Sequence, residues 1–472
     1  MSLRERARRE LANLSKRQAV AGATRGGVVS KLAQWARLEA EGRLDTLRDQ
    51  ARDAKNRALN DHAAYLAQFT RALQERGGQA HFAATGADAV AHVLAIARRH
   101  GAQRVVKTKS MATEEIGLTH ALEAAGIEAV ETDLGEYIVQ LAGEAPSHIV
   151  GPAIHMSRHD VAALFSRHHG EEISPDPEAL TALARRVLRE KFLTAEVGVT
   201  GANFGVAESG SILLVTNEGN ADMITTQPRV MIAIMGLEKL VPTWADLEPL
   251  LTLLPRTSTG QTMTVYVGAI TGVRQPGEAD GPDELHVIVL DGGRSRLLGT
   301  PYQDALRCIR CGACLDACPV FQQIGGHGYG TTYSGPIGAV ISPLLKGLDQ
   351  AGELLDACSM CGACTETCPV RIPLHELIRE QREDRTRHPA TASRAERLLF
   401  RLWAWAWSHP RRYRLSAWLL RWLALPFSRA GRLTWTPGPL AAWGEGRTFP
   451  APAARPLHQR WAELAKEVEE HD

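Results

Sequence analysis

The sequence predicts a multidomain chain of α/β plus α class, with an α/β middle and helical ends, and three observations predict it. The chain has 472 residues, which at roughly 150 residues per domain is too long for one core. From about residue 80 to 300, short apolar runs alternate with helical stretches, the rhythm of strands and helices packed in layers. All 8 cysteines fall between Cys308 and Cys368, which marks off a segment of separate chemistry. The expected boundaries are 1–75 (helical), 76–300 (α/β), 301–380 (cysteine-bearing) and 381–472 (helical, rich in Trp and Arg).

Residues 1–75 carry charge on almost every turn and are rich in Ala but sparse in Leu, which predicts solvated helices with one narrow buried stripe. Arg25-Gly26-Gly27 is expected to break the first helix from the second, and Gly77-Gly78 to end the segment. In the α/β region the expected helices are Asp88 to His100, Thr113 to Ala125, Pro177 to Phe192 and Trp244 to Leu254. The expected strands are Arg104 to Lys107, Ile127 to Glu131, Ser211 to Thr216, Val230 to Met235, Thr262 to Gly268 and Leu285 to Leu290. Several are continuous and β-branched, as in strands covered on both faces.

Lys and Arg number 54 against 53 Asp and Glu, a net charge of +1, so no long-range field gathers nucleic acid and no nucleic-acid partner is expected. The N-terminal MSLRERARRELANLSKRQAV never builds the apolar stretch of a secretory signal. Arginines interrupt the most apolar region before the ~18 consecutive apolar residues of a spanning helix accumulate. The expected location is cytoplasmic.

Cys308, Cys311, Cys314 and Cys318 form C-x2-C-x2-C-x3-C followed by Pro319, and Cys358, Cys361, Cys364 and Cys368 repeat it, followed by Pro369. Thiols packed this closely in a cytosolic chain point to metal rather than to disulfides. Zinc ribbons use paired C-x2-C units without a third cysteine at the same interval. This run is instead the bacterial ferredoxin pattern, in which the fourth cysteine of each copy serves the other copy's cluster. Three cysteines on one tight loop reach three corners of a cubane, and the fourth corner needs a distant residue. By that rule Cys308, Cys311, Cys314 and Cys368 hold one [4Fe-4S] cluster, and Cys358, Cys361, Cys364 and Cys318 hold a second. Gly312 and Gly362 leave room for backbone amides to approach the inorganic sulfides.

Open α/β sheets bind ligands in the crevice at strand ends, so two loops are expected to form a small-molecule pocket. KTKSMATEEIGL, Lys107 to Leu118, runs from a strand end into a helix start. There Lys107, Lys109 and Ser110 would hold a carboxylate or phosphate; plain turn chemistry with surface lysines is the alternative. GVTGANFGVAESGSILLVTNEGNADMITTQP, Gly198 to Pro228, is rich in Gly, Asn and Ser around Glu208, a candidate catalytic group. No G-x-G-x-x-G follows a strand and no G-x4-G-K-[ST] occurs, so a nicotinamide, flavin or ATP site has no motif behind it.

Between the cysteine runs, IGGHGYGTTYSGPIGAV, Ile324 to Val340, has glycines that permit close backbone approach to a cluster edge or to a partner. Its His327 reads either as a hydrogen-bonded structural residue or as one that tunes a cluster. Further on, RLLFRLWAWAWSHPRRYRLSAWLLRWLALPF interleaves Trp403, Trp405, Trp407, Trp418 and Trp422 with arginines, as two short helices broken at Pro410. Three readings fit this tail: peripheral membrane contact, a docking face for a partner subunit, or packing on the protein's own core. Leu457 to Glu470 reads as an ordinary amphipathic helix.

This order of parts resembles the lactate utilization protein B family, in which a LUD domain precedes paired ferredoxin runs. The resemblance covers nearly the whole chain. It implies a LUD fold of the NagB, ribose-phosphate isomerase and CoA-transferase-like type, with both sets of cluster ligands filled. It also implies work with two companion proteins, a cysteine-rich redox subunit and a second LUD-domain protein, in bacterial oxidation of L-lactate to pyruvate. No catalytic residue follows from it, and Glu208, Lys107 and Lys109 stand as candidates only. The expected function is an iron–sulfur electron-transfer subunit. The alternative makes the LUD domain itself a small-hydroxyacid-oxidising enzyme with the clusters as internal acceptor; its weakness is the missing two-electron cofactor, since a [4Fe-4S] cluster cannot take a hydride in one step. A third reading is a scaffold with structural clusters.

Overall fold

Strands with apolar side chains at nearly every position are stable only when both faces are covered, and that requirement organises the middle of the chain. The first ten strands are β1 Gln79–Ala83, β2 Arg104–Lys107, β3 Glu128–Glu131, β4 Val197–Gly201, β5 Phe204–Val206, β6 Ser211–Thr216, β7 Val230–Gly236, β8 Leu240–Val241, β9 Tyr266–Ile270 and β10 Glu284–Leu290. Six form a sheet in the order β1-β10-β7-β4-β2-β3, every pair parallel. Along β7, Val230, Ile232 and Ile234 pack with Val93, Ile96, Leu118 and Leu122. The alternate residues Met231, Ala233 and Met235 pack with Phe69 and Leu73 on the opposite face. Each such buried side chain contributes ~1.5–3 kcal/mol. The other four strands form a mixed sheet, β8-β5-β6-β9.

The structure is a computed structural model and describes residues 1–387, 394–433 and 448–469. The chain divides into two units, Met1–Arg385 and Thr386–Asp472. Of the expected C-terminal region, 388–393, 434–447 and 470–472 lie outside the described residues.

Local signals set the helix starts. Thr85 with Asp88 and Ser157 with Asp160 form capping boxes for Gly86–Arg99 and Arg158–His169, and Asp176 with Pro177 opens Pro177–Thr194. The helix expected over Thr113 to Ala125 is two, Met111–Glu115 and Leu118–Ala124, because Gly117 takes φ 65° and stops the first. The strand expected at Thr262 to Gly268 lies at Tyr266–Ile270, since Asn217 Oδ1 takes the Val265 amide at 3.1 Å and leaves the residues before β9 in a turn.

The expected break at Arg25-Gly26-Gly27 does not occur, and Leu14–Ala40 is one helix of 27 residues. Gly26 and Gly27 cost it about 2 kcal/mol of propensity, but Gly27 permits close packing: a Cβ there would stand 2.8 Å from Asp316 Oδ2. Val20 and Leu38 of this helix, with Leu47 of Leu44–Asn60, enter one core with Phe204, Val241 and Leu250 of the α/β region and Leu315, Phe321 and Ile337 of the cysteine segment. The cysteine segment is therefore built into the first unit's core.

Two of the linker glycines lie against the chain's own backbone. A Cβ on Gly326 would lie 1.9 Å from the Ser147 carbonyl oxygen, and one on Gly338 1.9 Å from that of Tyr333. Gly326→Ala is expected to cost ~1–3 kcal/mol by overpacking, read as a lowered thermal midpoint with the iron content retained.

In the second unit Arg394–Trp407 and Pro410–Ala424 are helices on either side of the expected break, and Leu457–Glu469 is a third. None of the side chains described between 394 and 424 is buried. No helix among the described residues is long and apolar enough to cross a membrane.

Candidate metal centre and an adjoining cavity

Both cysteine runs build the same loop. Arg310 and Met360, two residues after the first cysteine of each copy, take φ 62° and 59°, and Gly312 and Gly362 take 79° and 81°. A one-turn helix follows each glycine, Ala313–Asp316 and Ala363–Glu366. Left-handed backbone at a non-glycine residue costs about 1–2 kcal/mol, and its recurrence at the same place shows that the loop shape imposes it.

The thiols sort into two sets. Cys308, Cys311, Cys314 and Cys368 line one small cavity. Cys318 is acted on by Cys358 and Cys361, and Cys364 by Cys358, Cys318 and Cys361. The sets touch, since Cys314 also feels Cys364. All 8 cysteines are free of disulfides. Among the described residues no three sulfurs lie within 4.8 Å of one another, whereas four thiolates on one zinc at ~2.3 Å would stand ~3.8 Å apart. The spacing suits a group wider than one ion. Backbone amides already face the sulfurs, Ile372 N to Cys368 Sγ and Met360 N to Cys358 Sγ, each at 3.3 Å. Burial pushes the Cys311 and Cys364 thiols above their ordinary range, so stable thiolates here require a bound cationic partner. This donor set fits [4Fe-4S] centres.

The two sets differ in surroundings. Cys308, Cys311, Cys314 and Cys368 are buried, while Cys361 is exposed and Cys358 half-buried. Cations cluster round the enclosed set: Lys31 acts on Cys311, Arg307 on Cys368, and Arg48 Nη2 donates to the Cys368 carbonyl at 3.0 Å.

A cavity of about 370 Å³ opens at the C-terminal ends of β2, β4 and β7. Its charged lining includes Lys109, Asp133, Glu218, Lys239, Arg294 and Arg310. It shares two wall residues, Ile149 and Arg310, with the cavity of the enclosed cysteine set. Glu238, which also lines the cavity, meets Arg294 Nε at 2.8 Å and Arg310 Nη2 at 3.2 Å. Burial works against the Glu238 charge, but Arg294 and Arg310 outweigh it and hold its carboxyl at about 2. Arg294 also forks onto Glu115 at 2.9 and 2.5 Å, Tyr333 donates to Glu115 at 2.6 Å, and the Arg310 guanidinium stacks 4.3 Å over the Tyr333 ring.

Residues 66–290 match the LUD domain, 304–372 the 4Fe-4S dicluster domain, and 375–466 the C-terminal domain of lactate utilisation protein B. Lactate utilization protein B of Geobacillus thermodenitrificans (strain NG80-2) is 46% identical over 449 residues, 95% of this chain and 94% of that protein. The protein of that name from Oceanobacillus iheyensis is 44% identical over 467 residues, 99% and 97% of the two chains. The chain belongs to the lactate utilization protein B family. It is also similar to the Escherichia coli (strain K12) protein named uncharacterized electron transport protein YkgF, at 44% identity over 443 residues, 94% of this chain and 90% of that one. Its fold class is thus an α/β LUD domain followed by a 4Fe-4S dicluster domain, with helical termini.

Within this family fold the catalytic candidates scatter. Lys107 lies fully buried on Glu131 and, at 3.3 Å, Glu114, and it does not line the cavity. Glu208 is exposed and accepts the Trp244 amide at 2.6 Å, capping Trp244–Ser258; the carboxylate favours a helix N-terminus on electrostatic grounds. Lys109 does line the cavity, with its ammonium on the Val150 carbonyl, and Ser110 caps the short helix after β2. His327 takes the structural role, bonded to the Ala145 carbonyl at 2.7 Å with its ring 4.5 Å from that of His155.

Reading the Gly198 to Pro228 loop around Glu208 passed over Glu218, which does face the cavity. Lys239 and Arg310 were missed as well. Lys239 ends the one-turn helix Leu237–Lys239 that follows β7, near a strand end that the sequence did mark, but Arg310 was hidden among the cysteines. Burial first, then Asp133, raises the Glu218 carboxyl to about 7. A raised carboxyl weakens the fold as pH climbs from the unfolded value of ~4.3 towards 7. Glu218→Gln is therefore expected to raise the thermal midpoint more at pH 7.5 than at pH 5, and an equal change at both would refute this.

Proposed function

We propose that this chain is the iron–sulfur electron-transfer subunit of an L-lactate oxidation system, with two [4Fe-4S] centres held by the crossed ligand sets. The observation that carries the reading is the pairing of one enclosed thiol set, walled from the cavity by Arg310 and Ile149, with a second set that reaches the surface at Cys361. Relatives named for lactate utilization and for electron transport support it. Oxidation of lactate to pyruvate releases two electrons and two protons, and each [4Fe-4S] centre, when bound, carries one electron. The chain's residues keep water from the enclosed set, offset its charge with Lys31, Arg307 and Arg310, and present the other set at the surface.

Companion proteins, a cysteine-rich redox subunit and a second LUD-domain protein, would supply or accept the electrons. A second reading draws on the shared wall: an acid bound in the cavity would be oxidised by this chain itself. Anaerobic purification, iron and sulfide analysis, and EPR after L-lactate with and without companions separate the two. Reduction only with companions supports the electron-transfer subunit, and reduction by the chain alone makes the LUD domain the enzyme. Much less than about eight iron per chain would overturn both.

The tail is proposed to make peripheral contact with an anionic membrane. From Arg397 to Arg432 there are 8 arginines and no acid, and Trp403, Trp405, Trp407, Trp418 and Trp422 are all exposed. Such Trp and Arg faces lie in the plane of the lipid interface. The full chain is expected to float with phosphatidylglycerol vesicles and not with phosphatidylcholine, and to be released by about 0.5 M salt. Failure to float beside capture by a companion protein would assign the face to a subunit interface instead.

A further inference from the structure

The cavity beside the enclosed cysteine set is not evenly charged. Lys109 acts with Asp133 and Glu218, whereas Lys239 acts with Arg310, Glu238, Arg294 and Cys308. In the second group most donors are occupied. Arg294 is spent on Glu115 and Glu238, and one nitrogen of Arg310 on Glu238. Besides Arg294 Nε, which lies 2.8 Å from Glu238 as an ion pair without a hydrogen bond, two donors are left over. Arg310 Nη1 is buried without a hydrogen-bond partner, on a side chain only 8% exposed. The Lys239 ammonium lines the cavity and has no hydrogen-bond or ion-pair partner among the described residues. A buried cationic donor without an acceptor is costly, and Arg310 Nη1 on one wall with the half-buried Lys239 calls for an anion.

We propose that this cavity is a binding site for a small organic acid whose carboxylate is taken by Lys239 and by Arg310 Nη1. Glu238, 3.2 Å from Arg310, opposes a dianion and favours a single carboxylate over phosphate. Ser110, Asn203 and Thr200 on the same wall offer hydrogen bonds to a neutral oxygen on the rest of the molecule. The position has a consequence for the metal centre. Arg310 stands between Cys308 and Cys311 and lines both cavities, so a bound carboxylate sits one side chain from the enclosed thiols. Tyr333, from the glycine-rich linker, completes the wall and stacks on Arg310, which gives that linker a role in the site. The inference deepens the function proposed above and rests on its placing of a cluster at the enclosed set.

The test is anaerobic titration calorimetry of the full, iron-loaded chain with L-lactate, pyruvate, acetate and inorganic phosphate. EPR of the dithionite-reduced protein is recorded with and without each anion. Saturable binding of lactate or pyruvate is expected, tighter than phosphate, with a changed EPR line shape for one centre. Lys239→Met and Arg310→Lys are each expected to weaken it about tenfold or more, as loss of a charge-assisted hydrogen bond does. Lys239→Arg should retain binding, which separates loss of the donor from a folding defect. Iron and sulfide are assayed on the same samples. A chain that holds no cluster fails the function above, and a loaded chain that binds no carboxylate fails this inference. Binding unchanged in Lys239→Met would show that Lys239 serves only to offset cluster charge and would overturn the site, as would phosphate binding more tightly than either acid.

Discussion

Cys318→Ser is expected to abolish the same EPR signal as Cys358→Ser, and Cys368→Ser the same signal as Cys308→Ser, each variant keeping about four of about eight iron atoms per chain. The geometry behind this is the sorting of the thiols: Cys318 faces Cys358 and Cys361, while Cys368 closes the cavity of Cys308, Cys311 and Cys314. A ligand set confined to one run would give the opposite pairing, with Cys318→Ser matching Cys311→Ser. Because metal binding is folding free energy at such a site, the variants at the enclosed set are expected to lose more thermal stability than those at the exposed one. Both types should stop electron transfer through the chain while leaving the other centre reducible by dithionite.

Arg294→Met is expected to destabilise the first unit by ~3–5 kcal/mol, the cost of removing one member of a buried ion network. Arg294 is 1% exposed and holds two carboxylates from distant segments, Glu115 at 2.9 Å and Glu238 at 2.8 Å. Without it Glu115 keeps, among the described residues, only the Tyr333 hydroxyl, and Glu238 keeps Arg310. The sign with pH follows from Glu238. Its carboxyl is depressed to about 2, so its stabilisation is present above the unfolded value of ~4.3 and is lost as pH falls towards 2. In Arg294→Met the loss on the acid side should begin at higher pH, measured by thermal unfolding of the anaerobically prepared protein between pH 3 and 7. Arg294→Lys should recover part of the stability, since it restores the charge without the fork that grips both carboxylates.

How much of this was legible in the sequence depended on how local each feature is. β2 and β6 fall where the apolar runs place them, and β7 and β10 differ from the reading by one residue at an end. β1, β4 and β5 were missed. His81 interrupts β1, glycines interrupt β4 and β5, and pairing with neighbours rather than local composition makes them strands. Gly117 and Gly26-Gly27 look alike as breakers, yet one stops a helix and the other pair sits inside one. The difference is what each faces: a left-handed turn at Gly117, and the close approach of Asp316 at Gly27.

The cysteine positions and the shape of the two loops around them were determined by the sequence alone, because a thiol every third residue and a glycine after the second are local constraints on one turn of chain. So was the family, through the order of its parts. Which thiols face one another, and what stands beside them, was decided by tertiary structure. Lys239 ends the one-turn helix between β7 and β8, Arg310 lies within a cysteine run, Arg294 follows β10, and Tyr333 belongs to the linker. No periodicity relates these four. They meet because the parallel sheet ends its strands against the cysteine segment, where buried charges find partners or leave donors open to a ligand.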